Sequence, residues 1–173
     1  MFVDVSFWIL KLEILPMLKY VDTLVSFQEI PDEITLCINI SNCPCACPGC
    51  HSAYLAEDIG TELTIETLHK LVRENRGITC VCFMGGDRNP ELINQLASSL
   101  RLISWAKLKV GWYSGRQYIP EEISLRNFDY VKLGPYIEEL GGLRSKTTNQ
   151  IMFQVDHINE KDFITDITSK FWK

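Results

Sequence analysis

The chain has 173 residues, of which 46% are hydrophobic and 23% charged, and its formal net charge is -5. This length suits one domain with a sizeable core, and the composition is that of a globular protein, not of a disordered chain or a small disulfide-rich scaffold. The negative charge argues against general nucleic-acid binding, which requires a basic surface. Because the chain has seven cysteines, an odd number, they cannot all pair with one another. We therefore expect a reducing, cytoplasmic environment and a cysteine cluster that holds metal.

Residues 1–16 contain an apolar run that Lys11 and Glu13 interrupt. The run lacks the basic start and the small-residue cleavage site of a secretory signal, and it is too short and too charged to span a bilayer. Two interpretations stay open: an extension upstream of a start at Met17, or an amphipathic helix that packs on the domain or on a partner. Residues 17–173 are expected to form a single domain with no membrane-spanning segment.

In chain order, the hydrophobic pattern predicts strands that mostly alternate with helices. Strands are expected at 23–30, 33–40, 78–84, 109–114, 129–134 and 149–155; helices are expected at 63–75, 90–106, 120–125 and 159–173. Such alternation is typical of a parallel sheet with right-handed crossovers. Five or six strands are too few for a closed eight-stranded barrel. The expected fold is therefore α/β, an incomplete and open (β/α) barrel of five or six mainly parallel strands.

Three loops with unusual residues follow predicted strands. They are the cysteine loop, residues 41–52 (SNCPCACPGCHS), the segment MGGD at 84–87 and the segment YSGR at 113–116. In sheets of parallel strands, ligands bind at the carboxyl ends of the strands. We therefore expect the three loops to converge in space.

The cysteine loop allows three kinds of chemistry. Zinc commonly takes four ligands from two separated knuckles, whereas this chain has one knuckle, Cys47 to Cys50, so zinc would need Cys43 or Cys45 and a distant ligand. A redox pair of Cys47 and Cys50 is a second reading, and it leaves Cys43 unexplained. The third reading is Cys43-x3-Cys47-x2-Cys50, in which three thiolates hold a [4Fe–4S] cluster and one iron stays free to chelate a substrate.

The spacing of these three cysteines resembles that of the radical S-adenosylmethionine superfamily. The resemblance implies that Cys43, Cys47 and Cys50 are the catalytic, metal-binding residues. Members carry a Gly-Gly-Glu-like segment after the next core strand, which binds the methionyl amino group. The corresponding residues here are Gly85, Gly86 and Asp87.

Further contacts to S-adenosylmethionine follow from the same resemblance. Cys50, the third cysteine, and its neighbours Gly49 and His51 are expected to line the cofactor site. Ser114, at the end of GWYS, is expected to contact the ribose or the carboxylate, and a strand-capping serine is the alternative. Cys37, Cys80 and Cys82 lie in strand-like runs and are expected to be core residues. The roles of Cys45, Asn149 and Arg144 stay open.

Four segments of the chain indicate a particular branch of this superfamily. They are NCPCACPGCHS, FMGGDRNPELINQL, KVGWYSGR and KLGPYIEELGGLRSKTTNQIMF. Together they resemble the activating component of the anaerobic (class III) ribonucleoside-triphosphate reductase, over residues 17–155. Three departures from that pattern are Ser41-Asn42 before the cysteine loop in place of a glycine, the extra Cys45, and Leu133 before Gly134 in place of an aspartate. Two departures from the pattern of the superfamily are Asp87 in place of glutamate and Pro48 in place of an aromatic residue.

The resemblance implies an enzyme of the glycyl-radical-activating class. A flavodoxin- or ferredoxin-like donor would reduce the cluster, S-adenosylmethionine would be cleaved reductively, and a hydrogen would be taken from a glycine of the reductase. Alternatives are an activase of another glycyl radical enzyme and a non-catalytic zinc or iron–sulfur module that docks on a partner. The identity of the partner, the donor and the stoichiometry of the complex stay open.

Overall fold

A computed structural model describes residues 17–103 and 107–172 of the chain. The extension or helix expected at residues 1–16 lies outside these ranges. The strands are β1 (Lys19–Ser26), β2 (Thr35–Ile40), β3 (Thr61–Glu62), β4 (Cys80–Met84), β5 (Lys109–Tyr113), β6 (Tyr130–Leu133), β7 (Ile151–Ile158) and β8 (Lys161–Asp166). The α-helices are α1 (Ile65–Glu74) and α2 (Pro90–Arg101), and 3₁₀ turns span Ala53–Ala56, Leu125–Asn127 and Thr168–Phe171.

The eight strands of the described residues form one mixed sheet in the order β3-β1-β2-β4-β5-β6-β7-β8. The central strands β2, β4, β5 and β6 pair in parallel. The four outer pairings are antiparallel, and they outnumber the three parallel ones. The prediction of an incomplete, open α/β barrel of five or six mainly parallel strands is therefore wrong. The two edge strands are additions to the prediction, since β3 forms where no element was predicted and β8 forms where a helix was predicted.

The C-terminal helix expected at residues 159–173 is replaced by β8 and the 3₁₀ turn Thr168–Phe171. Asn159 and Glu160 have φ angles of 48° and 62°. Positive φ at both positions of a two-residue loop matches the twist of antiparallel strands, so β7 turns directly into β8. Phenylalanine, isoleucine and threonine in β8 also favour a strand. The short helix expected at 120–125 is a turn that leads into the 3₁₀ turn Leu125–Asn127.

Each α-helix begins at a polar residue that caps it. The Thr64 hydroxyl accepts a hydrogen bond from the Thr67 amide at 3.1 Å, and the Asn89 side chain accepts one from the Leu92 amide at 3.1 Å. Pro90 occupies the first turn of α2, where no amide donor is required. No helix within the described ranges combines the length and the apolar character that a membrane span requires.

The sheet buries a core on each face because side chains alternate along its strands. In β4, Val81 and Phe83 pack in the core that includes residues of α1 and α2. Cys80 and Cys82 point into the second core, beneath the C-terminal 3₁₀ turn, with Met152 as a neighbour in the same cluster. Cys37, Cys80 and Cys82 are buried, which confirms their prediction as core residues.

Candidate functional site

The three loops expected to converge meet at the carboxyl ends of the central strands. Asp87 lies in the loop after β4, and its Oδ2 is 4.0 Å from Sγ of Cys45. The Asp87 carboxylate also accepts hydrogen bonds from the Ser114 hydroxyl at 2.5 Å and from the Gly115 amide at 3.0 Å. These contacts confirm the predicted convergence of the loops.

The cysteine loop is held in an irregular conformation that excludes a helix. Asn42, Ala46 and Gly49 have positive φ angles of 59°, 43° and 72°. The Cys43 amide donates to the Leu55 carbonyl at 2.9 Å, which ties the start of the loop to the following 3₁₀ turn. Four cysteines of this loop are partly exposed: Cys43, Cys45, Cys47 and Cys50. All seven cysteines of the chain are among the described residues, and none forms a disulfide.

Asp87 is a buried acid that β5 and its loop hold in place. Its exposed fraction is 1%, and Ser114 beside it is equally buried. The Arg116 guanidinium donates to the Asp87 carbonyl at 2.7 Å, and its Nε lies 3.8 Å from Oδ1 of the carboxylate. Asp87 and Ser114, predicted as two separate cofactor contacts, are therefore hydrogen-bonded to each other. Arg116 and the Gly115 amide belong to the same group, and sequence reasoning did not single them out.

Gly85 and Gly86 allow the chain to turn sharply between β4 and α2. Their φ angles are 101° and 86°, in the region that only glycine enters freely. A Cβ on Gly86 would lie 2.4 Å from Cδ1 of Ile93, so the packing of α2 also requires glycine there. The Gly85 carbonyl accepts a hydrogen bond from the indole of Trp112 at 2.8 Å. The turn is thus fixed to the core of the sheet.

Lys132 is a buried amine beside these loops. Its Nζ donates to the Gly134 carbonyl at 2.7 Å and lies 3.4 Å from the Ser114 carbonyl, and the residue is 8% exposed. Burial lowers the pKa of Lys132 to about 8, and the negative charges of Asp87 and of the loop cysteines oppose this shift.

Sequence reasoning missed Lys132, although a signal for it was present. It lies in the segment DYVKLG, where strand alternation sets it on the face opposite to Val131 and Leu133. A lysine in a strand that is otherwise apolar is costly to bury and so indicates a special role or partner.

Cys45 lies in an electrostatically unfavourable position for a thiolate. Burial, then the Asp87 carboxylate and then Cys43 raise the pKa of its thiol to about 12. The ligand atoms of Cys43, Cys45 and Asp87 all lie within 4.8 Å of one another, and among the described residues this is the one group of three that could hold a single metal ion. Cys47 and Cys50 lie outside that group. A [4Fe–4S] cluster does not require its thiolates to be this close, because each binds a different iron.

Gly49 and His51 lie in the cysteine loop, and Asn149 and Arg144, whose roles the sequence left open, lie in the loop before β7. A Cβ on Gly49 would lie 3.0 Å from a carboxylate oxygen of Glu138, in the loop after β6. His51 is exposed. The Asn149 amide donates to the Pro135 carbonyl at 3.0 Å, while its Oδ1 is buried without a partner. Arg144 donates to the Gln28 side chain at 2.6 Å, which is a contact between loops.

Comparison of the chain with models of protein families, with curated proteins and with solved structures found no match. The site itself offers partly exposed thiols on one loop, a buried carboxylate and a buried amine. Thiolates are ligands for soft metals and iron–sulfur clusters. The carboxylate and the amine can bind the opposite charges of a zwitterion.

Proposed function

We propose that the chain is a radical S-adenosylmethionine activase that generates the glycyl radical of an anaerobic ribonucleotide reductase. One observation carries this proposal: the Cys43-x3-Cys47-x2-Cys50 loop follows a central parallel strand and packs against the Gly85-Gly86-Asp87 turn of the next one. A ligand bound by the cysteine loop would therefore meet the glycine turn, as the resemblance to the superfamily implies.

The donor atoms fit a [4Fe–4S] cluster. Cys43, Cys47 and Cys50 are free, partly exposed and carried by one irregular loop, so their sulfurs can reach different irons of one cluster. When bound, the cluster supplies the electron for reductive cleavage of S-adenosylmethionine. Free thiols of this kind persist in a reducing compartment, which is why we place the activity in the cytoplasm.

The buried charges beside the loop suit the amino-acid end of S-adenosylmethionine. This end carries an ammonium and a carboxylate, and Asp87 and Lys132 offer one partner for each. Asp87 is oriented in advance by Ser114 and Gly115, so little ordering is needed when the ammonium binds.

The exposed side of the cysteine loop suits two macromolecular partners. All four cysteines of the loop are partly exposed, so a flavodoxin- or ferredoxin-like donor can approach the metal closely. The glycine-bearing loop of the reductase must reach the same region, because its hydrogen is taken there. An activase of a different glycyl radical enzyme would use the same site with another partner surface.

A dithiol oxidoreductase is less well supported by the geometry. Low thiol pKa values in such enzymes come from a helix N-terminus or a nearby cation. The Cys50 amide donates to the Cys47 carbonyl at 3.2 Å in a turn, and the element that follows is the 3₁₀ turn Ala53–Ala56 and not an α-helix. The pair therefore lacks the helix N-terminus that is typical of such enzymes.

The test is an anaerobic assay of the reconstituted protein. The protein is loaded with iron and sulfide, reduced with dithionite, and assayed for 5′-deoxyadenosine formed from S-adenosylmethionine. We expect product from the wild type, product near background from Cys43→Ala, and nearly unchanged product from the matched control Cys45→Ala. A wild type that holds a full cluster and forms no product, even with the reductase present, would overturn the proposal.

A further inference from the structure

We propose a second metal site in this chain, in which the thiolates of Cys43 and Cys45 and the carboxylate of Asp87 bind one zinc-type divalent cation. Because Cys43 would also ligate the iron–sulfur cluster, the two occupants exclude each other. This mutual exclusion rests on the proposed function, whereas the cation site stands on the geometry of the three ligands. The distant ligand that a zinc site at Cys43 and Cys45 requires is thus Asp87.

The three ligand atoms are close enough for one ion. Zinc–sulfur bonds are about 2.3 Å and zinc–oxygen bonds about 2.0–2.2 Å, so in a tetrahedral site two sulfurs lie about 3.8 Å apart and a sulfur and an oxygen about 3.6 Å apart. The ligand atoms of Cys43, Cys45 and Asp87 lie within 4.8 Å of one another, and Cys45 Sγ is 4.0 Å from Asp87 Oδ2. A contraction of about 1 Å at the widest separation completes the tetrahedral site.

The surroundings of the three ligands hold them in position. Ser114 Oγ and the Gly115 amide donate to the two oxygens of Asp87, as outer partners of a metal-bound carboxylate commonly do. Gly115 also leaves room for the thiol, since a Cβ at this position would lie 2.4 Å from Cys45 Sγ. Each carboxylate oxygen keeps a lone pair for the cation after these hydrogen bonds.

The charges and the chemistry of the ligands favour zinc over harder ions. Two thiolates and one carboxylate form an anionic set, and sulfur ligands select zinc and other soft cations over Mg²⁺ or Ca²⁺. Binding releases one proton from each thiol to solvent, and no atom is oxidised or reduced. The fourth tetrahedral position remains for water, as in zinc sites with three protein ligands.

The extra cysteine gives the two occupants different ligand sets. Cys45 belongs to the cation site only, Cys47 and Cys50 belong to the cluster only, and Cys43 is shared. A cation on Cys43 therefore blocks assembly of the cluster while leaving Cys47 and Cys50 free. The availability of zinc relative to iron and sulfide would then decide which fraction of the protein carries the iron–sulfur cluster.

The first experiment uses the full-length, metal-free, reduced protein without iron. Zn²⁺ affinity is measured by competition with a chromophoric chelator, and Co²⁺ is used as a spectroscopic probe for thiolate ligation. We expect one equivalent of Zn²⁺ in the wild type and Co²⁺ charge-transfer bands of two thiolates. Cys45→Ala should bind Zn²⁺ at least 10- to 100-fold more weakly, which is the loss typical of removing even an outer partner of a metal ligand.

Cys47→Ala is the matched control, because it removes a cysteine of the same loop that is not a ligand of the cation. We expect its Zn²⁺ affinity to stay within about threefold of the wild type. Circular dichroism spectra verify that both variants are folded. Unchanged zinc affinity in Cys45→Ala, or an equal loss in Cys47→Ala and Cys45→Ala, would refute the site.

A second arm tests the mutual exclusion separately. Protein preloaded with one equivalent of Zn²⁺ is given iron and sulfide, and we expect the cluster content to fall in the wild type and to recover in Cys45→Ala. Equal cluster content with and without zinc would overturn the exclusion. Failure of the proposed enzymatic function would show differently, as a full cluster that does not cleave S-adenosylmethionine whether or not zinc binds.

Discussion

At the scale of single residues, the carboxyl ends of the central strands carry polar groups that most cores avoid. Asp87, Ser114 and Lys132 are all at most 8% exposed, and each has a hydrogen-bonding partner on a neighbouring strand or loop. Burying such groups costs free energy even when they are paired. Sequences usually depart from an apolar core where a ligand must be held, so these residues favour this end of the sheet as the place of a ligand site.

The pKa of Lys132 makes stability depend on pH. Its pKa is about 8 in the folded chain, against about 10.4 for an unfolded lysine. Between these values the unfolded state binds more protons, so stability rises with pH in that window and is lower below it. From pH 7 to 9, we expect the free energy of unfolding of the metal-free wild type to rise by about 1 kcal/mol relative to Lys132→Met. Urea melts at both pH values measure this difference; parallel pH dependences would contradict it.

Ser114→Ala tests the hydrogen bond to the buried carboxylate. Removing a donor to a charged acceptor leaves Asp87 poorly compensated, and we expect a loss of about 2 kcal/mol in the free energy of unfolding. Ser99→Ala is the control, because Ser99 is also buried and its hydroxyl donates to a neutral acceptor, the Leu96 carbonyl, at 2.7 Å. Its loss should be about 1 kcal/mol. A larger effect of Ser99→Ala in denaturant melts would show that Asp87 does not depend on Ser114.

At the scale of elements, the β7–β8 hairpin explains the main error in the predicted fold. The register of the hairpin runs from Phe153 opposite Asp166 to Ile158 opposite Lys161. Its polar turn, NEKD, resembles the start of a helix in sequence, whereas the residues that follow, Phe163, Ile164 and Thr165, are strand formers. The adjacent β7 strand therefore decides the structure of this segment.

The turn of this hairpin offers a test at Glu160. Its φ of 62° is costly for a residue with a Cβ, so Glu160→Gly should raise the free energy of unfolding by about 1 kcal/mol. Glu160→Val should lower it, because a β-branched side chain is the least tolerant of positive φ. Thermal melts of both variants measure the effect. If Glu160→Gly destabilises the protein and Glu160→Val does not, the turn does not have this geometry.

At the scale of the whole molecule, one sheet separates two cores that depend on each other. The core against α1 and α2 contains Trp112, and the opposite core is closed in part by Phe171 of the C-terminal 3₁₀ turn. Because both cores pack against the same central strands, loss of one should expose the strands that support the other. We therefore expect the two faces of the sheet to unfold together.

Phe171→Ala tests this coupling. Phe171 is 9% exposed, and its removal should lower the free energy of unfolding by about 3 kcal/mol. Tryptophan fluorescence, which includes the signal of Trp112 on the other face, and circular dichroism should show one shared transition. Phe163→Ala is the control, because Phe163 is 51% exposed in β8 and should cost less than about 1 kcal/mol. Separate transitions in the two signals would show that the cores unfold independently.

The local pattern of the sequence was enough to predict the central strands, both α-helices and the convergence of three loops. Alternation and helical periodicity are properties of short segments, and carboxyl ends of parallel strands meet at one edge whatever the rest of the sheet does. The antiparallel outer strands and the approach of Cys45 to Asp87 were decided only by tertiary structure. Each depends on contacts between residues distant in the chain, Cys45 and Asp87 being 42 positions apart, and such contacts are set by strand register and packing, which no short segment encodes.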